Sequence, residues 1–204
     1  MFEERQRFPK KDYGAAYFRG KNYRETYEIC FKEFIYDFRL NDQSLLLFLC
    51  EGHGEHEGSL SYSYYDAPCN VMPYNEFVQI YDSPEQVDDL KAINLYDQYL
   101  ATVGLSSNVT PLRYDYRARD YRSGIHPASH MHFGFNNDIR VGTNRILNPI
   151  SFLLFILRQR YPNKWEEFLN MKESECWCRN IRHNVQTINA SYWGTNDKLE
   201  MSLH

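Results

Sequence analysis

Two stretches of this chain alternate with the period of a β-strand, and that alternation restricts the fold more than any other feature. GSLSYSYY, residues 58–65, sets Leu60, Tyr62 and Tyr64 against Ser59, Ser61 and Ser63. PLRYDYRAR, residues 111–119, sets Tyr114, Tyr116 and Ala118 against Arg113, Asp115 and Arg117. Successive side chains of a strand point to opposite faces, so each stretch presents one aromatic face and one polar face, the latter solvated or turned to a partner. The continuous apolar run SLLLFLC, residues 44–50, reads as a further, buried strand, and SHMHF, residues 129–133, as another.

Helical spacing separates these strands. Tyr23, Tyr27, Phe31, Phe34 and Phe38 recur at intervals of three and four, which predicts an amphipathic helix over residues 22–38. Val87, Leu90, Ile93, Leu95, Tyr99 and Leu100 predict a second over 84–103, with Asp82 and Ser83 as N-caps. Asn148 followed by Pro149 is a helix start, and ISFLLFILRQRY beyond it is apolar on nearly every side. That pattern predicts a helix buried on most of its circumference, with Phe152, Leu153, Phe155, Ile156 and Leu157 in the core. Pro162 punctuates it, and NKWEEFLNM adds a short helix. Strands and helices do not alternate strictly, so the expectation is an α+β fold: a single domain over residues 21–204 with a mainly antiparallel sheet and packing helices, preceded by a polar N-terminal arm, residues 1–20.

Composition limits the partners. A net charge of −4 supplies no global field for a phosphate backbone, so nucleic-acid binding has to be local. Five irregularly spaced cysteines behind an N-terminus without an apolar run point to a reducing cytoplasm. The longest apolar run, residues 152–157, falls far short of the roughly 20 residues a membrane helix needs, which excludes a membrane partner.

The chemistry concentrates in HPASHMHFG, residues 126–134, which holds three of the seven histidines. On a strand, His130 and His132 share a face. Pairing with residues 111–119 as a long-looped hairpin sets them beside Arg113, Asp115 and Arg117, with His126 arriving from the loop. Neutral imidazole suits Zn, Fe, Mn and Ni, so His126, His130 and His132 are candidate metal ligands, and Asp115 completes a facial set. The ion would be divalent: zinc, manganese or magnesium. Without metal, the same four residues are candidate catalytic acids and bases. Arg113, Arg117 and Arg140 are candidate phosphate-binding residues, because a guanidinium holds phosphate oxygens bidentately. Histidines at this spacing also occur on sheet faces where they only hydrogen-bond, and the cupin and metallo-β-lactamase patterns are absent, with Asn136 and Gly134 where those need glutamate and aspartate. The loop EGHGEHEG, residues 51–58, and the cluster Cys176, Cys178 and His183 are weaker metal candidates, and no phosphate-binding glycine loop or hydrolase elbow is present.

YSYYDAP at 62–68, RYDY at 113–116, HPASHMHFG at 126–134, DIRV at 138–141 and the N-P-x-x-F helix start at Asn148 together resemble a bacterial family defined as a domain of unknown function, DUF2290, over roughly residues 30–170. The resemblance implies a single-domain cytoplasmic bacterial protein of the kind found in mobile or defence gene neighbourhoods, and it carries no activity. Two functions follow from the residues: a phosphodiesterase or nuclease-like enzyme acting on nucleic acid or a nucleotide, or a non-catalytic accessory subunit docking on a protein or nucleic-acid partner, or on a second copy of itself.

Overall fold

The computed structural model describes residues 20–52, 58–69, 72, 74–81, 89–102, 109–135 and 139–199. The expected N-terminal arm, apart from Gly20, lies outside them, as do the histidines of the loop at 51–58 and the caps expected at Asp82 and Ser83.

Helix α1, Tyr23–Lys32, starts on a capping box: Asn22 accepts from the Glu25 amide, and the Glu25 carboxylate accepts from the Asn22 amide. It stops six residues short of the expected end. Phe34 takes a left-handed φ of 54°, and Ile35 N–H bonds back to Cys30 O at 2.8 Å, closing the last turn and releasing the chain into β1, Phe38–Arg39. Strands β2, Leu45–Glu51, and β3, Ser59–Tyr65, follow, then helices α2, Tyr74–Tyr81, and α3, Asp89–Thr102. Strand β4, Leu112–Arg117, runs into a 3-10 turn at Ala118–Asp120. After it come β5, Ser129–Phe133, β6, Ile139–Gly142, and β7, Arg145–Ile146. Helices α4, Pro149–Arg160, α5, Pro162–Leu169, and α6, Ser174–Asn184, precede β8, Gln186–Thr187.

The fold is α+β. Strands β1 to β6 form an antiparallel sheet in sequential order, and β7 pairs with β8. Within the stretch read above as one domain, contacts gather into two units that interleave along the chain. The first takes the described parts of residues 1–47 and 65–111. Its core joins Tyr27 and Cys30 of α1 to Leu45, and the Tyr27 hydroxyl donates to Gln43 O at 2.6 Å. In the same unit, Phe77 of α2 meets Tyr96 of α3 edge-on, with ring centroids 5.1 Å apart.

The second unit, the described parts of residues 48–64 and 112–204, holds the candidate site. Register sets Tyr62 opposite Tyr114 and Tyr114 opposite Met131, a row of large buried side chains on one face. Helix α4 packs there through Phe152, whose ring lies 5.8 Å from Tyr62 and 6.1 Å from Phe48. Asn148 caps this helix, accepting from the Ser151 amide at 2.8 Å. Burial is narrower than the apolar sequence predicts: Phe152 and Ile156 are enclosed, Phe155 and Leu157 are half-buried, and Leu153 is exposed. Phe152 and Ile156, at i and i+4, lie on one side of the helix. No helix among the described residues is long and apolar enough to cross a membrane.

Candidate functional site

The polar face of the same strands carries the cluster. Asp115 of β4 lies directly opposite His130 of β5, Arg113 opposite His132, and His132 opposite Arg140 of β6. Directly opposed residues share a face, so two antiparallel pairings bring five of the seven singled-out residues onto one surface. His130 and His132 are each only 2% exposed, while Asp115 keeps 22% of its side chain open.

Three ligand atoms converge. His130 Nε2 is 2.9 Å from His132 Nε2, and His132 Nε2 is 3.1 Å from Asp115 Oδ2; one atom from each residue fits within a 4.8 Å group. Two nitrogens bound to one ion at 2.0–2.1 Å are separated by about 2.9 Å at a right angle and about 3.4 Å at the tetrahedral angle. The two short spacings match edges of a coordination polyhedron, and this buried Asp, His, His group could hold a divalent ion.

Its surroundings orient two of the three ligands. His130 Nδ1 donates to Pro127 O at 2.8 Å, which leaves Nε2 with its lone pair facing His132. Asp115 Oδ1 accepts from Ser61 Oγ at 2.8 Å, and Oδ2 from Arg113 Nε at 2.8 Å. His132 Nδ1 is buried without a hydrogen-bonding partner among the described residues. His132 Nε2 lies between Asp115 Oδ2 and His130 Nε2, and a metal ion bound through it would leave the ring's proton on Nδ1.

Burial pushes His130 down to about 3, helped by His132 and opposed by Asp115, so its ring is neutral. Burial alone would raise Asp115, but the His132 hydrogen bond, the Arg113 charge and the Ser61 hydroxyl outweigh it and hold the carboxyl well below the usual range. A neutral imidazole and an ionised carboxylate are the forms that ligate metal.

His126 stands beside the group. Its ring meets His130 edge-on with centroids 5.0 Å apart, but the three-atom set comprises Asp115, His130 and His132. Burial lowers His126, and the charge of Arg140 adds to that. Arg117 forms no ion pair with Asp115 among the described residues and instead reaches Asp120 at 3.5 Å; the register of β4 with β5 ends at Tyr116 and Ser129, one residue short of it. Cys176 and Cys178 sit on α6 at i and i+2, on different sides of the helix, and join no metal group among the described residues.

Sequence reasoning passed over Ser61, Pro127, Gly142 and Trp193. Ser61 was discoverable, since it lies on the serine face of an alternating strand. Gly142, opposite His130, was not: a Cβ there would come within 3.2 Å of Pro127 and 3.3 Å of Trp193, so its lack of a side chain lets these two rings close over the strand. No curated protein and no solved structure matches the chain. A family model described as "Uncharacterized conserved protein (DUF2290)" matches residues 3–192, nearly the whole length. The chain belongs to that family.

Proposed function

We propose that Asp115, His130 and His132 hold a divalent metal ion, and that the protein is a phosphodiesterase acting on nucleic acid or a nucleotide. The observation that carries this reading is the convergence of three ligand atoms within 4.8 Å on a face that also presents Arg113 and Arg140. An ion held by these three residues would supply a Lewis acid and a water of lowered pKa. The net reaction would be water plus a phosphodiester giving a phosphomonoester and an alcohol, the proton lost by the water going to the leaving alkoxide. Arg113, anchored through Nε, has its terminal nitrogens for the non-bridging oxygens, and Arg140 is exposed on the neighbouring strand. Asp115 provides the solvent-facing edge of the site.

Metal content of the purified protein, calorimetric titration with Zn²⁺ and Mn²⁺, and hydrolysis of bis(4-nitrophenyl) phosphate test the reading together. Binding of one equivalent is expected, with turnover that Asp115→Ala abolishes. Ser61→Ala, which removes an outer partner of the carboxylate, should weaken metal binding by about 10- to 100-fold. Absence of metal binding in the wild type overturns the proposal. The accessory-subunit reading draws on a separate observation, the exposed Leu169, Met171 and Trp177 of the segment around α5 and α6. It gains if substitution of Trp177 changes association while metal-dependent turnover is absent.

A further inference from the structure

Next to the metal group lies a basin of about 380 Å³ lined by Arg119, Asp120, Tyr121, Arg122 and His126. Arg122 and His126 face each other across a tight hairpin, Arg122 N–H donating to His126 O at 2.9 Å and His126 N–H to Arg122 O at 2.8 Å. Opposed residues of an antiparallel bridge project to the same side, so guanidinium and imidazole rise together. Gly124, at a φ of 66°, makes the turn.

The hairpin is fastened from outside. Asp197, 3% exposed, accepts from Tyr121 Oη at 2.6 Å, Gly124 N at 3.1 Å and Gly194 N at 2.9 Å. All three donors are neutral, so this carboxylate is occupied as a clasp and does not neutralise the arginines. Asp120 is the basin's own anion, held loosely between Arg117 at 3.5 Å and Arg119 at 4.0 Å. Among the described residues Arg122 and Arg140 have no carboxylate partner, and the charges of both act on His126. Three arginines, Arg117, Arg119 and Arg122, against one aspartate leave a local excess of two positive charges in a protein whose net charge is −4.

We infer that this basin is a second phosphate-binding subsite, one phosphate along from the metal group, and that the ligand is a phosphodiester chain rather than an isolated phosphate ester. The inference rests on the phosphodiesterase reading for the nature of the scissile bond, and on the basin alone for the chain. His126 joins the two places, lining the basin while its ring packs against His130. An isolated ester would engage the metal group and leave Arg119 and Arg122 unused; a chain places its neighbouring phosphate over them.

The test is fluorescence anisotropy of a labelled single-stranded 12-mer oligodeoxynucleotide with the full chain in EDTA, repeated over a salt series and with the matching duplex. Chelation separates this measurement from metal binding and turnover. Arg119→Ala/Arg122→Ala should weaken binding by about tenfold or more and reduce the log-log salt slope by about 1.4, two single-strand phosphate contacts at about 0.7 each. Arg122→Glu should weaken it further. Both arginines are exposed, so these variants are expected to fold. Unchanged affinity and slope in the double variant overturn the subsite. Absence of oligonucleotide binding by the wild type overturns it too, whereas calorimetric metal binding on that same protein would leave the metal centre standing.

Discussion

The two faces of strands β3 to β5 each bury large side chains, but are built from opposite materials. On one, Tyr62, Tyr114 and Met131 lie under α4; on the other, His130 and His132 are equally hidden beside Asp115. Their polar atoms fare differently. The Tyr114 hydroxyl, wholly enclosed, accepts from Leu147 N at 3.0 Å and pairs with Ser129 Oγ at 2.9 Å. Across the sheet, His126 Nδ1 and His132 Nδ1 are buried and have no hydrogen-bonding partner among the described residues. Leaving a buried polar group unpaired costs about 1–3 kcal/mol. The contrast separates a face whose enclosed hydroxyl is satisfied from one on which two imidazole nitrogens are not.

The largest expected effect lies on the first face. Phe152 is fully buried and touches the rings of Phe48 and Tyr62, so Phe152→Ala should cost about 3–5 kcal/mol in urea unfolding. A cost below about 1 kcal/mol would remove the claim that α4 supports this sheet. The sequence alone did not single out Phe152. An almost uniformly apolar helix has no readable stripe, and of the five core positions expected from it two, Phe152 and Ile156, are buried.

Legibility elsewhere followed the same rule. Residues 111–119 and 129–133 alternate strictly, so their faces, and the meeting of Asp115 with His130 and His132, could be read before any register was known. The α1 terminus could not: its apolar spacing continues through Phe34 and Phe38, and only a left-handed Phe34 ends it. Helix α2 and helix α6 were missed because short helices with mixed faces give weak periodicity. Asp197 lies 73 residues beyond Gly124 and carries no local pattern, so its clasp is a tertiary fact alone.

A smaller effect sharpens the comparison of polar atoms. Tyr114→Phe keeps the ring and removes the hydroxyl, leaving the Leu147 amide and the Ser129 hydroxyl each short of one partner. The expected loss is about 1–3 kcal/mol by chemical denaturation, with the denaturant slope unchanged. Ser129 retains its 2.6 Å bond to Arg145 O, which favours the lower half of that range. A loss near zero would mean that enclosed polar atoms are inexpensive in this sheet, and the unpartnered histidine nitrogens would then lose their significance.

The smallest effect concerns Arg117, which the sequence places on the same face as Arg113. The two are not equivalent. Arg113 donates Nε to Asp115 at 2.8 Å and is 35% exposed, whereas Arg117 reaches Asp120 at 3.5 Å with both partners more than 40% exposed. An exposed pair of that kind contributes between about 0 and 1 kcal/mol. Arg117→Lys preserves the charge and loses only a long contact, so its melting temperature should match the wild type within the error of a calorimetric scan. Arg113→Lys loses the Nε donor that holds the Asp115 carboxylate, and should weaken metal binding in the same titration. If instead Arg117→Lys destabilises the protein while Arg113→Lys leaves metal affinity intact, then Asp115 is oriented by Ser61 and the histidines alone, and the division of the polar face into a bonded arginine and a peripheral one is wrong.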